Sequence, residues 1–414
     1  MSVAWPKAAV PGHVPADRVV DFNVYAPEGG ENDLHGAWRR LQQAGPDIAW
    51  CPYHGGHWLP MRFTDIDFIQ RNHDPFSMCD VGMPGGEKPN RILPLEADPP
   101  EHVGFRIIIN PSFTPRKVGS IEHFTRELAV ELIEAIKPHG RCEFMADFAL
   151  KLPIAIFMQL TELPIADAPK LLSYAELATR GGPDRQAEAQ DKMLAYIMPV
   201  LARRAEHRGD DLLSGIIHAT VRGKPIKHAD MISTILTVLF GGLDTVASTL
   251  GFIAHFLAEN PGHRRQLIED PALIPQATIE FMRRFPPSNT ARTLSRDFEY
   301  KGVTFRKGDK VYVSNLLSGL DETRFTNAWD VDFHRNEGEH AGFGAGPHRC
   351  PGQLLALLEL RVFLEEWLTR IPDFRIAAAD PVRFGPGQVN CVTRLALEWD
   401  CYEAEQACGE WTST

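Results

Sequence analysis

The chain lacks the cysteine spacing that marks a disulfide framework or a structural metal site. Its seven cysteines are scattered over 414 residues, and no two of them form a C-x-x-C motif. Disulfide frameworks are typical of short secreted chains with an even number of regularly spaced cysteines. The pattern therefore predicts reduced cysteines and a cytoplasmic protein, and the spacing of an iron–sulfur cluster is missing as well.

Signals for export, for a membrane span and for nucleic-acid binding are missing too. The first residues, MSVAWPKAAVPGHVPADRVV, show no cationic segment followed by an apolar one. No run reaches about 18 uninterrupted apolar residues, and the most apolar region, 232–257, contains Asp244 and His255. The 43 basic residues are outnumbered by 54 acidic ones, which gives a net charge of −11. We therefore predict a buried core helix at 232–257, and neither a membrane nor a nucleic-acid partner.

Internal repeats and low-complexity linkers are absent from the sequence, so we predict a single domain over residues 1–414. The periodicity of apolar residues predicts that helices dominate and that small β portions lie near both ends of the chain. The predicted helices are 34–44, 118–136, 150–160, 166–179, 185–208, 229–259, 273–285 and 353–370. The predicted strands are 58–62, 299–305, 310–313, 374–377 and 392–399.

The most distinctive segment of the chain is Phe343–Gly352, which reads FGAGPHRCPG. Free cysteines are most often small buried hydrophobic residues, and for Cys350 taken alone that interpretation stays open. Its position favours a thiolate, because backbone N–H groups and the positive dipole end at a helix start lower the pKa of a thiol. Pro351 suits a first helical turn, and the glycines allow tight turns and a close approach to a flat ligand. The segment therefore indicates a thiolate held against a metal.

A pair of glycines interrupts the longest predicted helix. Residues 241–245 read Gly-Gly-Leu-Asp-Thr, and each glycine costs about 1 kcal/mol relative to alanine inside a helix. One interpretation is close packing against a neighbouring helix, with Asp244 in an ion pair. The other is that the glycines open the helix wall to oxygen and substrate, because helices distort where a ligand inserts into their hydrogen-bond ladder. In that case Thr245 can hydrogen-bond dioxygen and Asp244 can relay protons.

Taken together, the two segments resemble those of cytochrome P-450 monooxygenases. The loop matches the haem-binding pattern F-x-x-G-x-[H/R]-x-C-x-G, and residues 241–245 match the oxygen-activation pattern [A/G]-G-x-[D/E]-T. The resemblance implies the cytochrome P-450 fold, mainly α with minor β, and a haem b cofactor whose axial thiolate comes from Cys350. It assigns Asp244 and Thr245 as catalytic residues. The loop residues implied to contact the cofactor are Phe343, Gly346 and Gly352.

Two further groups of residues acquire a role from the resemblance. Glu280 and Arg283, three apart on a predicted helix, are similar to the buried pair that stabilises the core beside the haem. An arginine that the family carries in a later segment is replaced here by Asp332, and Arg335 is its candidate substitute. Cationic anchors for the haem carboxylates are implied as well, since forked arginine donors suit carboxylates. The implied anchors are His102, Arg106, Arg292 and His348.

The resemblance is strongest to the bacterial camphor-hydroxylase branch and runs over nearly the whole chain. It rests on the segments HVPADRVVDFNVY, GGHW, GGLDTV, SGLDE and EEWLTRIPDF. Arg180 matches a position whose arginine pairs with the acid at Asp244. The substrate-facing positions depart from the camphor pattern, which favours an oxygenated terpenoid or norisoprenoid over camphor. The residues implied to face the substrate are Asn90, Phe240, Gly241, Gln388 and Val389.

The resemblance implies a soluble monooxygenase that inserts one atom of O2 into a C–H bond of a small hydrophobic substrate. Electrons are expected from NADH through a flavoprotein reductase and a separate [2Fe–2S] ferredoxin, which Arg106 and Arg349 are expected to face. Positions that are basic in the camphor branch carry other residues here: Val103, Glu337 and Leu357. Two alternatives stay open, a haem-thiolate peroxygenase, against which the acid–threonine pair argues, and a haem-binding sensor without turnover.

Overall fold

The structure, a computed structural model, describes residues 5–86, 91–180 and 183–400. Helices account for about 51% of the chain and strands for 13%, and the strands are distributed over several small sheets. The predicted fold class, mainly α with minor β, is therefore confirmed.

Helices and short strands are interspersed along the chain. In chain order, the α-helices are α1 Leu34–Ala44, α2 Phe63–Arg71, α3 Glu101–Ile109, α4 Pro115–Ser120, α5 Glu122–Ile136, α6 Lys151–Leu160, α7 Ala168–Arg180, α8 Pro183–Glu206, α9 Leu212–Ile217, α10 His228–Leu243, α11 Thr245–Glu259, α12 Pro261–Glu269, α13 Ile274–Arg284, α14 Asn315–Gly319 and α15 Gln353–Arg370. The strands are β1 Ile48–Cys51, β2 His57–Pro60, β3 Phe76–Ser77, β4 Arg141–Glu143, β5 Thr220–Val221, β6 Lys224–Pro225, β7 Asn289–Leu294, β8 Phe298–Tyr300, β9 Val303–Phe305, β10 Lys310–Ser314, β11 Arg375–Ile376, β12 Arg383–Gly385, β13 Cys391–Arg394 and β14 Ala396–Glu398.

The long helices agree with the sequence-based predictions, and the differences concern their divisions. Helices α1 and α15 have the predicted bounds. The predicted helix 118–136 is divided at Ile121 into α4 and α5, and the predicted helix 229–259 is divided at Asp244 into α10 and α11. Four helices of five to nine residues were not predicted, because segments this short show little helical period: α2, α9, α12 and α14.

A five-stranded sheet joins distant parts of the sequence in the order β1-β2-β10-β7-β3. Strands β2 and β10 pair in parallel at Trp58 and Val311. Strands β10 and β7 pair antiparallel, and Val311 lies opposite Arg292. This register sets the direction of the Arg292 side chain, because a slip by one residue would turn it to the other face of the sheet.

Helices α11 and α15 run through the hydrophobic core. Beside α15, aromatic rings pack edge to face, with 5.1 Å between the ring centroids of Phe144 and Trp367. The described chain contains one segment, His228–Glu259, that is long and apolar enough to cross a membrane by composition. Of its most apolar stretch, 59% is buried inside the protein, which agrees with the predicted core helix.

Helix α13 carries a buried ion-pair network, and the segment that leads into the cysteine loop packs against this helix. Arg283 Nε and Nη2 each donate to one oxygen of Glu280 at 2.8 Å. Arg335 Nε donates to Glu280 Oε1 at 3.1 Å and provides a second guanidinium, while Asp332 donates its backbone N–H at 2.9 Å. The start of the loop lies against the same helix, since a Cβ on Gly342 would be 2.4 Å from a carbonyl oxygen of α13.

Candidate active site

A cavity of about 1020 Å³ lies between α3, α10, α11, β7, the cysteine loop and the first turns of α15. The predicted site residues that line it are His102, Arg106, Phe240, Gly241, Asp244, Thr245, Arg292, Phe343, His348, Cys350, Gly352, Gln388 and Val389. Gly346 packs against α2, and the Glu280–Arg283 pair lies in the core. Asn90 lies outside the described residues, and so does the side chain of Arg180, whose backbone ends α7.

The cysteine loop is a tight turn that presents Cys350 to the cavity. The backbone N–H of Cys350 donates to the carbonyl oxygen of Phe343 at 2.9 Å and closes the loop. Gly344 and Gly346 have φ angles of 74° and 67°, in the left-handed region that favours glycine. A Cβ on Gly346 would also lie 2.7 Å from the carbonyl oxygen of Gln70. Glycine is therefore required at Gly346 for conformation and for space.

The prediction that the surroundings of Cys350 lower the pKa of its thiol differs from what the structure shows. Burial raises the pKa of Cys350 more than the backbone N–H of Gly352 and the charge of Arg106 lower it. The thiol is surrounded by protein, and the surface that it exposes faces the cavity. Helix α15 begins only at Gln353, so Pro351 precedes its first turn and the helix end acts from a distance. A bound metal cation would remove the thiol proton outright.

Basic side chains from three parts of the fold meet at the cavity wall beside the cysteine. They are His102 and Arg106 from α3, Arg292 from β7 and His348 from the loop. The ring centroids of His102 and His348 are 4.1 Å apart. Burial lowers the pKa of His102 to about 4, of His348 to about 2 and of Arg292 to about 10. At neutral pH the two histidines are neutral and the arginines keep their charge.

This wall has the chemistry of an anion-binding site. Within the described part of the chain, Arg292 forms no ion pair and donates to two neutral oxygens of its own strand, at 3.0 and 3.1 Å. Asp98, whose charge acts on Arg292, already accepts from a hydroxyl and a backbone N–H. His348 Nε2 is buried with no partner among the described residues. A buried guanidinium needs a compensating charge, so the residues fit a flat group that carries carboxylates, as haem does.

The junction of α10 and α11 forms the opposite wall. A Cβ on Gly241 would meet no atom within 4 Å, whereas one on Gly242 would lie 3.0 Å from Phe157 Cδ2. Both glycines line the cavity. Gly242 also packs against Phe157, as the packing interpretation predicts, whereas Gly241 faces open space; a role in admitting oxygen and substrate stays a prediction. The Thr245 hydroxyl donates to the carbonyl oxygen of Gly241 at 3.2 Å. Asp244 is buried at the junction.

The part of the cavity away from the cysteine is mostly apolar. Phe240 lies on α10, and Val389 forms an isolated β-bridge with Ser288. Gln388 Nε2 donates to the carbonyl oxygen of Val81 at 3.3 Å, and the Gln388 side chain also hydrogen-bonds Tyr25. The backbone and Tyr25 therefore hold Gln388 at the edge of the cavity.

The sequence motifs do not reveal three buried polar side chains that line the same cavity. Gln70 and Asn315 are hydrogen-bonded to each other at 2.7 Å, and they come from segments too distant for any sequence pattern to relate them. Glu359, on α15, is buried, and burial raises its pKa well above the ordinary value. An acidic residue inside the apolar run LLALLELRVFL was the available signal for Glu359.

Comparison with known proteins adds family information to this geometry. The family model described as Cytochrome P450 matches residues 184–372. A probable cytochrome P450 127A1 of Sinorhizobium fredii is 30% identical over 403 residues, which cover 94% of this chain and 97% of that protein. The mycinamicin IV hydroxylase/epoxidase of Micromonospora griseorubida is 29% identical over 367 residues, which cover 83% of this chain and 91% of that protein.

Solved structures match over a similar length. The crystal structures of CYP101J2 and CYP101C1 are 37% and 36% identical to this chain, and each superposes with a TM-score of 0.87. Each match covers 95% of this chain and 100% of the other.

Proposed function

The chain belongs to the cytochrome P450 family, and we propose that within this family it is a ferredoxin-dependent hydroxylase of small hydrophobic compounds. Family membership makes it a haem-thiolate monooxygenase and hence an oxidoreductase. The predicted relation to the camphor-hydroxylase branch is confirmed by the similarity to the two CYP101 structures. One observation carries the proposal: a single cavity combines Cys350, a basic wall and the Asp244–Thr245 pair.

We propose that the Cys350 thiolate would hold the haem iron and that the basic wall would contact the haem carboxylates. The haem supplies, when bound, the activation of O2 and the transfer of one oxygen atom to a C–H bond. The N–H of Gly352 and the charge of Arg106 both favour the ionised sulfur. Arg292, His102 and His348 are proposed to donate to the carboxylates. Phe343, Gly346 and Gly352 are proposed to shape the loop around the cofactor.

Proton delivery is assigned to the junction of α10 and α11. The 3.2 Å distance from the Thr245 hydroxyl to Gly241 O is long for an O–H···O hydrogen bond, so little energy is needed to turn the hydroxyl toward the cavity. Asp244 is the preceding residue, is 8% exposed and also lines the cavity. We propose that a proton held by the Asp244 carboxyl group passes to Thr245 inside the cavity. We propose that Arg180 pairs with Asp244.

The lining of the cavity supports a small terpenoid or norisoprenoid-like substrate. Phe157, Ile232, Leu236 and Phe240 supply apolar surface, and a few polar groups supply orientation, as in most small-molecule sites. The polar side chains near them are Ser233, Thr237 and Gln388. Asn90, Gly241 and Val389 are proposed to complete the substrate-facing set.

We propose that an NADH-dependent flavoprotein reductase and a [2Fe–2S] ferredoxin supply the electrons. The protein is proposed to act in the cytoplasm and to form a single domain over residues 1–414. The ferredoxin must come close to Cys350, and the loop reaches the surface at Arg349, whose side chain is 44% exposed. Val103, Ile107 and Leu354, from the two helices beside the loop, are also exposed. We propose that Val103, Ile107, Arg349 and Leu354 form one docking surface, the loop face.

The test is NADH-driven turnover of a terpenoid with reductase and ferredoxin, in the wild type and in Thr245→Ala. We expect the wild type to convert NADH into hydroxylated product. In Thr245→Ala most of the reducing equivalents should appear as hydrogen peroxide, because the hydroxyl that positions protons is lost. Product and peroxide measured per NADH report this change, with Thr245→Ser as the control that keeps the hydroxyl.

Spectra of the carbon monoxide complex in the reduced state accompany the assay. The red-shifted Soret band of thiolate ligation should be present in the wild type and in both Thr245 variants, and absent in Cys350→Ala. A Cys350→Ala protein that kept the band would remove Cys350 as the ligand. Product formation with peroxide as efficiently as with NADH would favour the peroxygenase alternative, and no product with either would favour the sensor.

A further inference from the structure

Two amide side chains outside the sequence motifs lie at the cavity wall beside the cysteine loop. Gln70 is near the end of α2 and Asn315 is the first residue of α14. They are 3% and 5% exposed, and both line the cavity. Gln70 Nε2 donates to Asn315 Oδ1 at 2.7 Å. Asn315 therefore holds the Gln70 side chain in place.

The other end of the Gln70 amide is unsatisfied. Gln70 Oε1 is buried and has no hydrogen-bond partner in the described part of the chain. It lies beside the cysteine loop, because a Cβ on Gly344 would be 4.0 Å from it. In the same loop, His348 Nε2 is a second buried atom without a partner. Buried polar atoms without a partner are destabilising, and both residues line the cavity, so polar groups of a bound molecule are expected beside them.

The charge of the wall indicates which polar group that is. The neighbouring side chains are donors, with charged Arg106 and Arg292 and neutral His102 among them, so the wall suits a carboxylate. An amide oxygen would repel a carboxylate, and an amide nitrogen would donate to it. A half-turn of both side-chain amides exchanges the oxygen and nitrogen positions of Gln70 and of Asn315. The hydrogen bond between the two residues is kept, because Asn315 Nδ2 then donates to Gln70 Oε1. Gln70 Nε2 then takes the position that Oε1 holds now.

We propose that Gln70, oriented by Asn315, is a further contact of the haem and donates from Nε2 to one of its carboxylates. The proposal rests on the proposed haem contacts of the basic wall and adds a neutral donor to them. A hydrogen bond to an ionised group contributes about 1.5–3 kcal/mol, more than one between neutral groups. Loss of this contact should therefore accelerate haem release about ten- to a hundredfold.

The experiment measures haem transfer from the haem-loaded protein to excess apomyoglobin over a range of pH. Gln70→Leu removes the donor and should release haem about tenfold faster or more. Gln70→Glu places a carboxylate against a carboxylate, so its release should be faster still at about pH 8 and should slow toward about pH 5, where the new acid becomes a donor. The two variants share the other titratable and charged groups of this wall, which are His102, Arg106, Arg292 and His348. The ratio of the haem-release rates of Gln70→Glu and Gln70→Leu therefore isolates the effect of the new carboxylate.

Gln42→Leu is the matched control for Gln70→Leu. Gln42 is also 3% exposed and donates to the carbonyl oxygens of Met61 and Leu317, but it does not line the cavity. Its substitution should leave the pH dependence of haem release and the resonance Raman bands of the haem carboxylates unchanged. Both Gln70 variants should shift those bands, which a general loss of stability would not do.

Wild-type rates of haem release and unshifted carboxylate bands in Gln70→Leu would overturn the proposal. If Gln70→Glu does not fold, the apolar and neutral Gln70→Leu still decides the question. The thiolate band of the reduced carbon monoxide complex should persist in every variant that holds haem. An unchanged rate of haem release in Gln70→Leu would therefore overturn the role of Gln70 and leave the proposed function intact. Absence of the thiolate band in the wild type would overturn the proposed function itself.

Discussion

At the scale of single residues, burial sets the protonation of the cavity wall. Burial favours the neutral form of three groups. It raises the pKa of the Cys350 thiol and of the Glu359 carboxyl group, and it lowers the pKa of the His102 ring. The Glu359 side chain is the extreme case, because its Oε2 has no partner among the residues the structure describes and desolvation is the only cause of its shift. Burial in the apolar core therefore favours the protonated carboxylic acid at Glu359.

This protonated acid makes stability fall as pH rises. An unfolded glutamate ionises near pH 4.3, whereas the pKa of folded Glu359 lies well above its ordinary value. Between these two pKa values the folded state binds one proton more, so unfolding becomes easier by up to about 1.4 kcal/mol per pH unit. Glu359→Gln cannot ionise and should escape this loss. Urea unfolding should show equal stability of the two proteins at about pH 4 and a growing advantage of the variant toward about pH 8; a constant difference would contradict the assignment.

At the scale of elements, the junction of α10 and α11 uses two adjacent glycines for different purposes. Gly242 allows α10 to approach Phe157 on α6, and Gly241 leaves space in the cavity. Asp244 separates the two helices and Thr245 begins the second. The junction therefore accepts the low helix propensity of two glycines beside the residues proposed to act on substrate and oxygen.

Alanine substitutions should separate the two glycines. Gly241→Ala meets no atom and should raise the free energy of unfolding by up to about 1 kcal/mol through helix propensity, but its methyl group should weaken substrate binding. Gly242→Ala presses on Phe157, and overpacking of this kind costs about 1–3 kcal/mol, so its stability should fall below that of Gly241→Ala. Denaturant unfolding and a spin-state titration with a terpenoid measure both effects. Equal stabilities of the two variants would contradict the packing role of Gly242.

At the scale of the whole molecule, the loop face differs from the rest of an acidic surface. The chain carries a net charge of −11, so the proposed ferredoxin, if acidic, would be repelled by the molecule as a whole. The loop face offers it Arg349 and three apolar side chains, of which Ile107 is 68% exposed. Val103 and Ile107 are four residues apart on α3, so they share one face of that helix. We expect apolar contacts to contribute more to docking here than ion pairs.

Substitution of Ile107 tests this expectation. Burial of one such side chain is worth about 1.5 kcal/mol or more, so Ile107→Glu should slow reduction by the ferredoxin about tenfold. Reduction of the haem by dithionite should not change. Ile165→Glu is the control, because Ile165 is 42% exposed and lies in the turn before α7. Stopped-flow reduction at several salt concentrations measures the effect, and a steep loss of wild-type rate with salt would show that ion pairs dominate instead.

Much of this molecule could be read from local pattern. The bounds of α1 and α15 follow from periodicity and from their flanking residues, and the cysteine loop follows from glycines that its backbone conformation requires. The glycine pair indicated a distortion within the predicted helix 229–259, but the division itself lies at Asp244, after the pair. The pairing of Arg335 with Glu280 was predicted only as a candidate, because the arginine that the family carries in this segment is replaced here by Asp332, which contributes its backbone N–H instead.

The amino-acid sequence by itself determined the family, the helical fold class and the residues of the cysteine loop and of the helix junction, since these depend on short-range periodicity and on motifs of a few residues. Only the tertiary structure decided which other side chains share the cavity with them. Gln70 and Asn315 are 245 positions apart, and Glu359 acts through the apolar packing around it. Burial and the lack of a partner are properties of the packed chain, and no local pattern encodes them.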